Sequence, residues 1–243
     1  MRKFISFLLL GISLQLSAQQ TLYIGTMAFN PPFSLRLDTE GHLYGFDISF
    51  MNEICKRIQA NCVYKQMPFE DLFPALNNHT IDLAISGIII TPERQKDYLF
   101  SLPYFVSNGI FIVHTDEFKS IDNLRNKKIG VIKHSVYFYL APKILGPDAT
   151  IMPYTRPTDM LANLVSGNIQ AIFTDEMPAK YWATKDDNID VIGKPIPTGS
   201  GYGIMTNLNN DQLIHQINAA ILDIEKDGTY LKLYNQFFNI LIN

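Results

Sequence analysis

The stretch Ile85-Ser86-Gly87-Ile88-Ile89-Ile90-Thr91-Pro92-Glu93-Arg94 decides how the chain is read. An apolar strand runs into a bend and then into a helix start that carries an arginine. Such a corner is built to hold a carboxylate: free backbone N–H groups point at the anion, and a guanidinium grips both of its oxygens in a planar fork. Pro92 fits the first helical turn, where its missing N–H costs nothing, and Thr91 suits the N-cap. The same arginine could instead form a surface ion pair with a neighbouring Asp, so the rest of the chain must decide.

Residues 1–18 read as a secretory leader: Arg2 and Lys3, an apolar run from Phe4 to Leu16, then Ser17-Ala18. The cut is expected after Ala18. No cysteine follows the run, so no lipid anchor is expected. Beyond it no uncharged stretch of membrane-spanning length occurs, which predicts a chain working in a Gram-negative periplasm. In that oxidising compartment Cys55 and Cys62, seven apart, are expected to pair as a disulfide. A redox or metal pair is the other reading, but the spacing is not C-x-x-C and no His or third Cys is near.

The formal net charge is −3, and without Arg2 and Lys3 it becomes −5, with no basic run. Nucleic acid is therefore not an expected partner. Five histidines, at 42, 79, 114, 134 and 215, fall in no metal spacing, and neither a G-x-S-x-G elbow nor a Gly-rich phosphate loop occurs. No cofactor is expected.

Outward from the opening stretch, strands alternate with helices, which predicts an α/β fold with largely parallel sheets. Strands are expected at 21–26, 62–66, 81–85 and 109–114, with helices at 46–58 and 69–77. A second unit repeats the pattern: strands at 128–132, 150–154, 170–174 and 189–192, helices at 135–140, 158–165 and from Asp175-Glu176 to about 184. The Pro- and Gly-rich segment 194–203 reads as a return crossing. Two amphipathic helices close the chain, divided at Asp227-Gly228. Two crossings imply a two-lobed molecule: residues 19–107 plus 200–243 as lobe 1, residues 108–199 as lobe 2, and a ligand cleft at the hinge.

The motifs Asn30-Pro31-Pro32-Phe33, Gly45-Phe46-Asp47, Thr91-Pro92-Glu93-Arg94 and Asp227-Gly228-Thr229-Tyr230 occur in an order that resembles the bacterial type II periplasmic solute-binding proteins for polar amino acids. The segment from Ile54 to Cys62 is most similar to the arginine-binding and the lysine/arginine/ornithine and histidine-binding members. The resemblance implies the substrate-binding component of an ABC-type amino acid importer, which closes on a polar, cationic amino acid, arginine or lysine first, and delivers it to an inner-membrane permease as a monomer. It implies that Arg94 clamps the ligand α-carboxylate, helped by Thr91 and by N–H groups around Ser135 and Val136. Asp175 would take the α-ammonium, although an Asp at such a turn often serves only as an N-cap. Phe69 would pack on the ligand side chain, by cation–π if it is charged; Asn30 and Phe33 would line the first-lobe wall, Phe33 equally fitting the core. Ser86 and Gly87 of the bend would complete that wall.

Three positions depart from the family pattern. Ile89 stands where relatives place an acceptor for the α-ammonium, Met27 where cationic-ligand members offer an acid, and Tyr137 where Gln is frequent. Glu70 could replace the missing acid or be a solvated first-turn carboxylate. Two other classes share the fold: a dehydratase-like periplasmic enzyme and a sensing module that signals through a partner.

Overall fold

The computed structural model describes residues 19–242; the expected leader at 1–18 lies outside the described residues. The first of two five-stranded sheets starts with β1 (Thr21–Thr26), where Leu22 and Ile24 point into the core and Thr21 and Tyr23 outward, the period of a strand. Then come three short antiparallel strands, β2 (Phe29–Asn30), β3 (Ser34–Arg36) and β4 (Leu43–Tyr44), which form a small sheet of their own. The chain continues through α1 (Phe46–Arg57), β5 (Asn61–Gln66), a 3-10 turn at Phe69–Asp71 leading into α2 (Leu72–Asn77), β6 (Leu83–Ala84) and β7 (Tyr98–Phe100).

The second sheet holds β8 (Asn108–His114), β9 (Lys128–Ile132), β10 (Thr150–Tyr154), β11 (Ala171–Asp175) and β12 (Ile189–Pro197). Between them lie α3 (Val136–Leu145), α4 (Pro157–Val165) and α5 (Glu176–Ala183). The chain then returns as β13 (Met205–Asn207) and ends in α6 (Asp211–Lys226) and α7 (Thr229–Ile242). Strand order is β5-β1-β6-β13-β7 in one sheet and β10-β9-β11-β8-β12 in the other. In each sheet the three strands β5, β1, β6 or β10, β9, β11 are parallel, and the crossing strands pair antiparallel. The repeated grammar of the sequence is therefore a repeated sheet, and the architecture is the expected two-lobed α/β fold.

The crossings run side by side. Tyr202 N–H donates to Phe105 O at 2.8 Å, Tyr104 N–H to Tyr202 O at 2.8 Å, and Thr198 N–H to Ser107 O at 3.0 Å. Helices α6 and α7 pack on α1, so both chain ends build the first lobe. Its centre is aromatic: Phe33 packs edge-on to Phe105 at 5.1 Å, and Phe105 lies 4.8 Å from Phe238. Fully burying one such ring is worth about 1.5–3 kcal/mol. Phe33 thus belongs to this core and not to the ligand wall. Gly45, at φ 140°, lies where any Cβ would meet Phe33 O at 2.2 Å, which explains the glycine before Phe46-Asp47.

Cys55 and Cys62 are joined, with Cα atoms 6.2 Å apart, and tie the last turn of α1 to β5. The opening stretch departs from expectation in one respect. Arg94 does not start an α-helix: residues Arg94–Lys96 make a single 3-10 turn, because the chain must straighten at once to pair as β7 with β13. A helix dipole therefore contributes nothing at Arg94.

Candidate functional site

Between the two sheets lies an inner cavity of about 30 Å³. Met27, Asn30, Phe69, Ser86, Gly87, Ile89 and Arg94 line it from the first lobe, and Ser135, Val136, Tyr137 and Asp175 from the second. With Phe33 placed in the core, these are eleven of the other twelve residues expected at the ligand. Thr91 is the exception. It lines an adjoining outer cavity of about 740 Å³, and its hydroxyl accepts the Arg94 N–H at 3.3 Å, so it caps the turn that carries the arginine.

Local structure explains each placement. At Gly87, φ 57° lets the chain turn inward after β6, and the Gly87 N–H donates to the buried Asp47 carboxylate at 3.0 Å. Tyr104 OH donates to the other Asp47 oxygen at 2.9 Å. Burial pushes the Asp47 carboxyl up to about 7, against the pull of these two donors. Ser135 caps α3, accepting the Phe138 N–H at 3.4 Å, so the free N–H groups at the start of that helix stand at the cavity wall.

Arg94 reaches the cavity with Nη1 donating to Ile89 O at 2.8 Å and Nη2 to His134 O at 3.4 Å. Its guanidinium carbon lies 5.5 Å from the Phe69 ring centre and 5.3 Å from that of Phe73. Desolvation lowers its pKa to about 10, with Asp175 as the largest opposing charge, so it remains a cation at neutral pH. The alternative of a surface ion pair does not hold. His134, with φ 59°, contributes its carbonyl to Arg94 and does not line the inner cavity.

Asp175 stands at the start of α5 but makes no capping hydrogen bond. Its Oδ1 instead accepts Tyr137 OH at 2.7 Å and the Tyr202 hydroxyl. Burial pushes its carboxyl up to about 6, while the two tyrosines and Arg94 act to hold it down. Tyr137, which replaces the frequent Gln, therefore serves as a donor to this acid.

The inner cavity also takes in Ile132, Pro157, Thr174 and Trp182, which sequence reasoning missed. Trp182 was legible in principle. It lies seven residues beyond Asp175 on α5, two helical turns along the same face. Glu70 does not line this cavity; it pairs with Lys133 at 2.5 Å.

A cation, Arg94, and an acid, Asp175, thus line one cavity between two α/β lobes, the build of a two-lobed solute-binding protein. Residues 22–240 match the bacterial extracellular solute-binding proteins, family 3, and the chain belongs to that family. It is 34% identical to the arginine-binding periplasmic protein of Mannheimia haemolytica, over 98% of either chain. It is 30% identical to the putative ABC transporter arginine-binding protein 2 of Escherichia coli (strain K12), over 96% of this chain and 97% of that one. It also resembles the crystal structure of an arginine third transport system periplasmic binding protein from Legionella pneumophila, with a TM-score of 0.85 and 41% identity, over 90% of this chain and all of that one. These relatives are named as binding proteins. Among the described residues no helix is long and apolar enough to cross a membrane.

Proposed function

We propose that the chain captures a free amino acid as a zwitterion, without chemistry, and hands it to an ATP-driven inner-membrane permease. The observation that carries this reading is that Arg94 and Asp175 line one cavity from facing lobes. Arg94 takes the α-carboxylate in its planar fork, with the N–H groups at the start of α3 completing the anion site. Asp175 takes the α-ammonium. Phe69, Trp182, Met27 and Asn30 surround the side chain, and Ser86, Gly87 and Ile89 form the floor beneath the α-carbon.

The inner cavity is too small for an amino acid to enter while the lobes are shut, so capture requires them to part. Residues 19–107 plus 200–243 turn against residues 108–199 about the paired crossings. Residues 1–18 act as an export leader that delivers the mature chain to the periplasm. Arginine is the first ligand to test, because relatives over nearly the whole chain are named for it.

A thermal-shift panel of the twenty amino acids, ornithine and citrulline tests the reading, on protein first unfolded and refolded to strip bound ligand. A ligand at 100 times its Kd adds about 2.7 kcal/mol, a shift of several degrees. A panel with no shift would overturn it.

A further inference from the structure

Glu70 reaches across the cleft. It stands on the first-lobe turn Phe69–Asp71, next to Phe69 of the cavity wall, yet all its side-chain partners belong to the second lobe. One carboxylate oxygen lies 2.5 Å from Lys133 Nζ and 4.0 Å from His134 Nε2. The other accepts the Thr155 hydroxyl at 2.9 Å. Lys133 and His134 follow β9, and Thr155 follows β10, strands that pair with Ile132 opposite Tyr154. A single acid of one lobe therefore ties two neighbouring strand ends of the other. The contact is sheltered on the acid's side, with the Glu70 side chain 17% exposed against 47% for Lys133.

Its place in the molecule gives the contact a purpose. Phe69 and Ile132 line the inner cavity, while Glu70 and His134 line the outer one, so the contact stands on the partition between them. Lys133 and His134 run straight into Ser135, the cap of the helix whose start faces the inner cavity. We infer that Glu70 is a positioning residue for capture: its bonds to Lys133 and Thr155 form only when the lobes are shut, and they hold the Lys133–Ser135 turn down over the bound molecule. The inference rests on the amino-acid-capture reading. When the lobes part, both charges return to water. The bonds therefore bias the closing equilibrium and leave the first encounter with the open lobe untouched. Glu70, already satisfied by Lys133 and Thr155, is not the acid for a ligand side chain that the sequence allowed it to be.

The test combines two readouts on the whole mature chain. Spin labels at Asn78→Cys and Ser166→Cys, positions exposed on the two lobes, report the lobe separation by electron–electron resonance without any ligand. The native cysteines are paired and do not compete for label. Stopped-flow fluorescence with L-arginine separates association from dissociation. In Glu70→Gln the short-distance population falls, L-arginine leaves about tenfold faster, and its association rate stays within about twofold. The exchange Glu70→Lys with Lys133→Glu recovers part of the lost closed population, a rescue that a fold defect would not give. Unchanged distances together with an unchanged dissociation rate, or no recovery in the exchanged pair, would overturn the inference. If L-arginine gives no signal with the wild-type chain, the arginine assignment fails, and the distance distributions alone decide the role of Glu70.

Discussion

Tyr202, on the returning crossing, donates its hydroxyl hydrogen to Asp175 at the joint of the two lobes. The donor favours the carboxylate anion against the burial that pushes this acid up to about 6. In the proposed binding mode the α-ammonium, cationic throughout the relevant pH range, needs that anion. Affinity is therefore present above the Asp175 pKa and lost as pH falls through it. In calorimetric titrations with L-arginine the wild type weakens toward about tenfold per pH unit below that value. Tyr202→Phe moves the midpoint to higher pH. A profile flat from pH 5 to 8 would remove Asp175 from the site.

Asp47 makes a prediction of opposite kind, about the fold and not the ligand. Its folded pKa, about 7, lies above the ordinary carboxylate value, so the folded state holds a proton that the unfolded chain has released. Stability contributed by the protonated carboxyl is thus full at low pH and falls as pH rises toward and through that value. Thermal melts at pH 5 and 8 should give the wild type a lower Tm at pH 8, and Asp47→Asn should narrow this difference to the part that Asp175, also raised by burial, contributes. An equal slope in both proteins would mean that Asp47 titrates as an ordinary acid.

Trp182 is the only tryptophan in the chain, and it lines the inner cavity. Intrinsic fluorescence is therefore a direct report of occupancy. Saturating the stripped protein with its ligand should change the intensity or shift the emission maximum, and Trp182→Phe should abolish the signal. An emission spectrum insensitive to a ligand that raises the Tm would place the indole away from the occupied space.

The bond between Cys55 and Cys62 closes a short loop between α1 and β5. In the chain-entropy model such a loop stabilises by roughly 2.5 kcal/mol. Reduction under native conditions should lower the Tm by several degrees and leave ligand affinity nearly unchanged, since neither cysteine lines the inner cavity. A large loss of affinity would show that α1 transmits strain to the site.

What the sequence made legible follows contact range. Strands β9 and β10 match the expected 128–132 and 150–154 to the residue, because each is an apolar run bounded by local turn signals. The expected strand 81–85 shrinks to Leu83–Ala84, since Ile85 already bends toward Gly87. The two- and three-residue strands β2, β3, β4, β7 and β13 escaped notice, as they exist only through pairing with distant chain. At the cavity, Arg94 stands out through its own motif, whereas Asp175 is singled out only by the family resemblance. Ile132 and Pro157 look like ordinary core residues of the second lobe, and nothing in their local sequence marks them as cavity lining, whereas the spacing of Trp182 from Asp175 does. Asp175 reads from sequence equally as a cap, and only the fold shows that its carboxylate makes no capping bond and is held by two tyrosines, 38 and 27 residues away.

In the proposed binding mode the Arg94 guanidinium grips the ligand carboxylate in a planar fork. Calorimetric titration of Arg94→Lys with L-arginine tests it most directly, because lysine keeps the charge and removes the planar fork. We predict binding weaker by about 30-fold or more, the loss expected for a bidentate charge-assisted pair. A Kd equal to that of the wild type, in a variant that melts at the same temperature, would contradict the account.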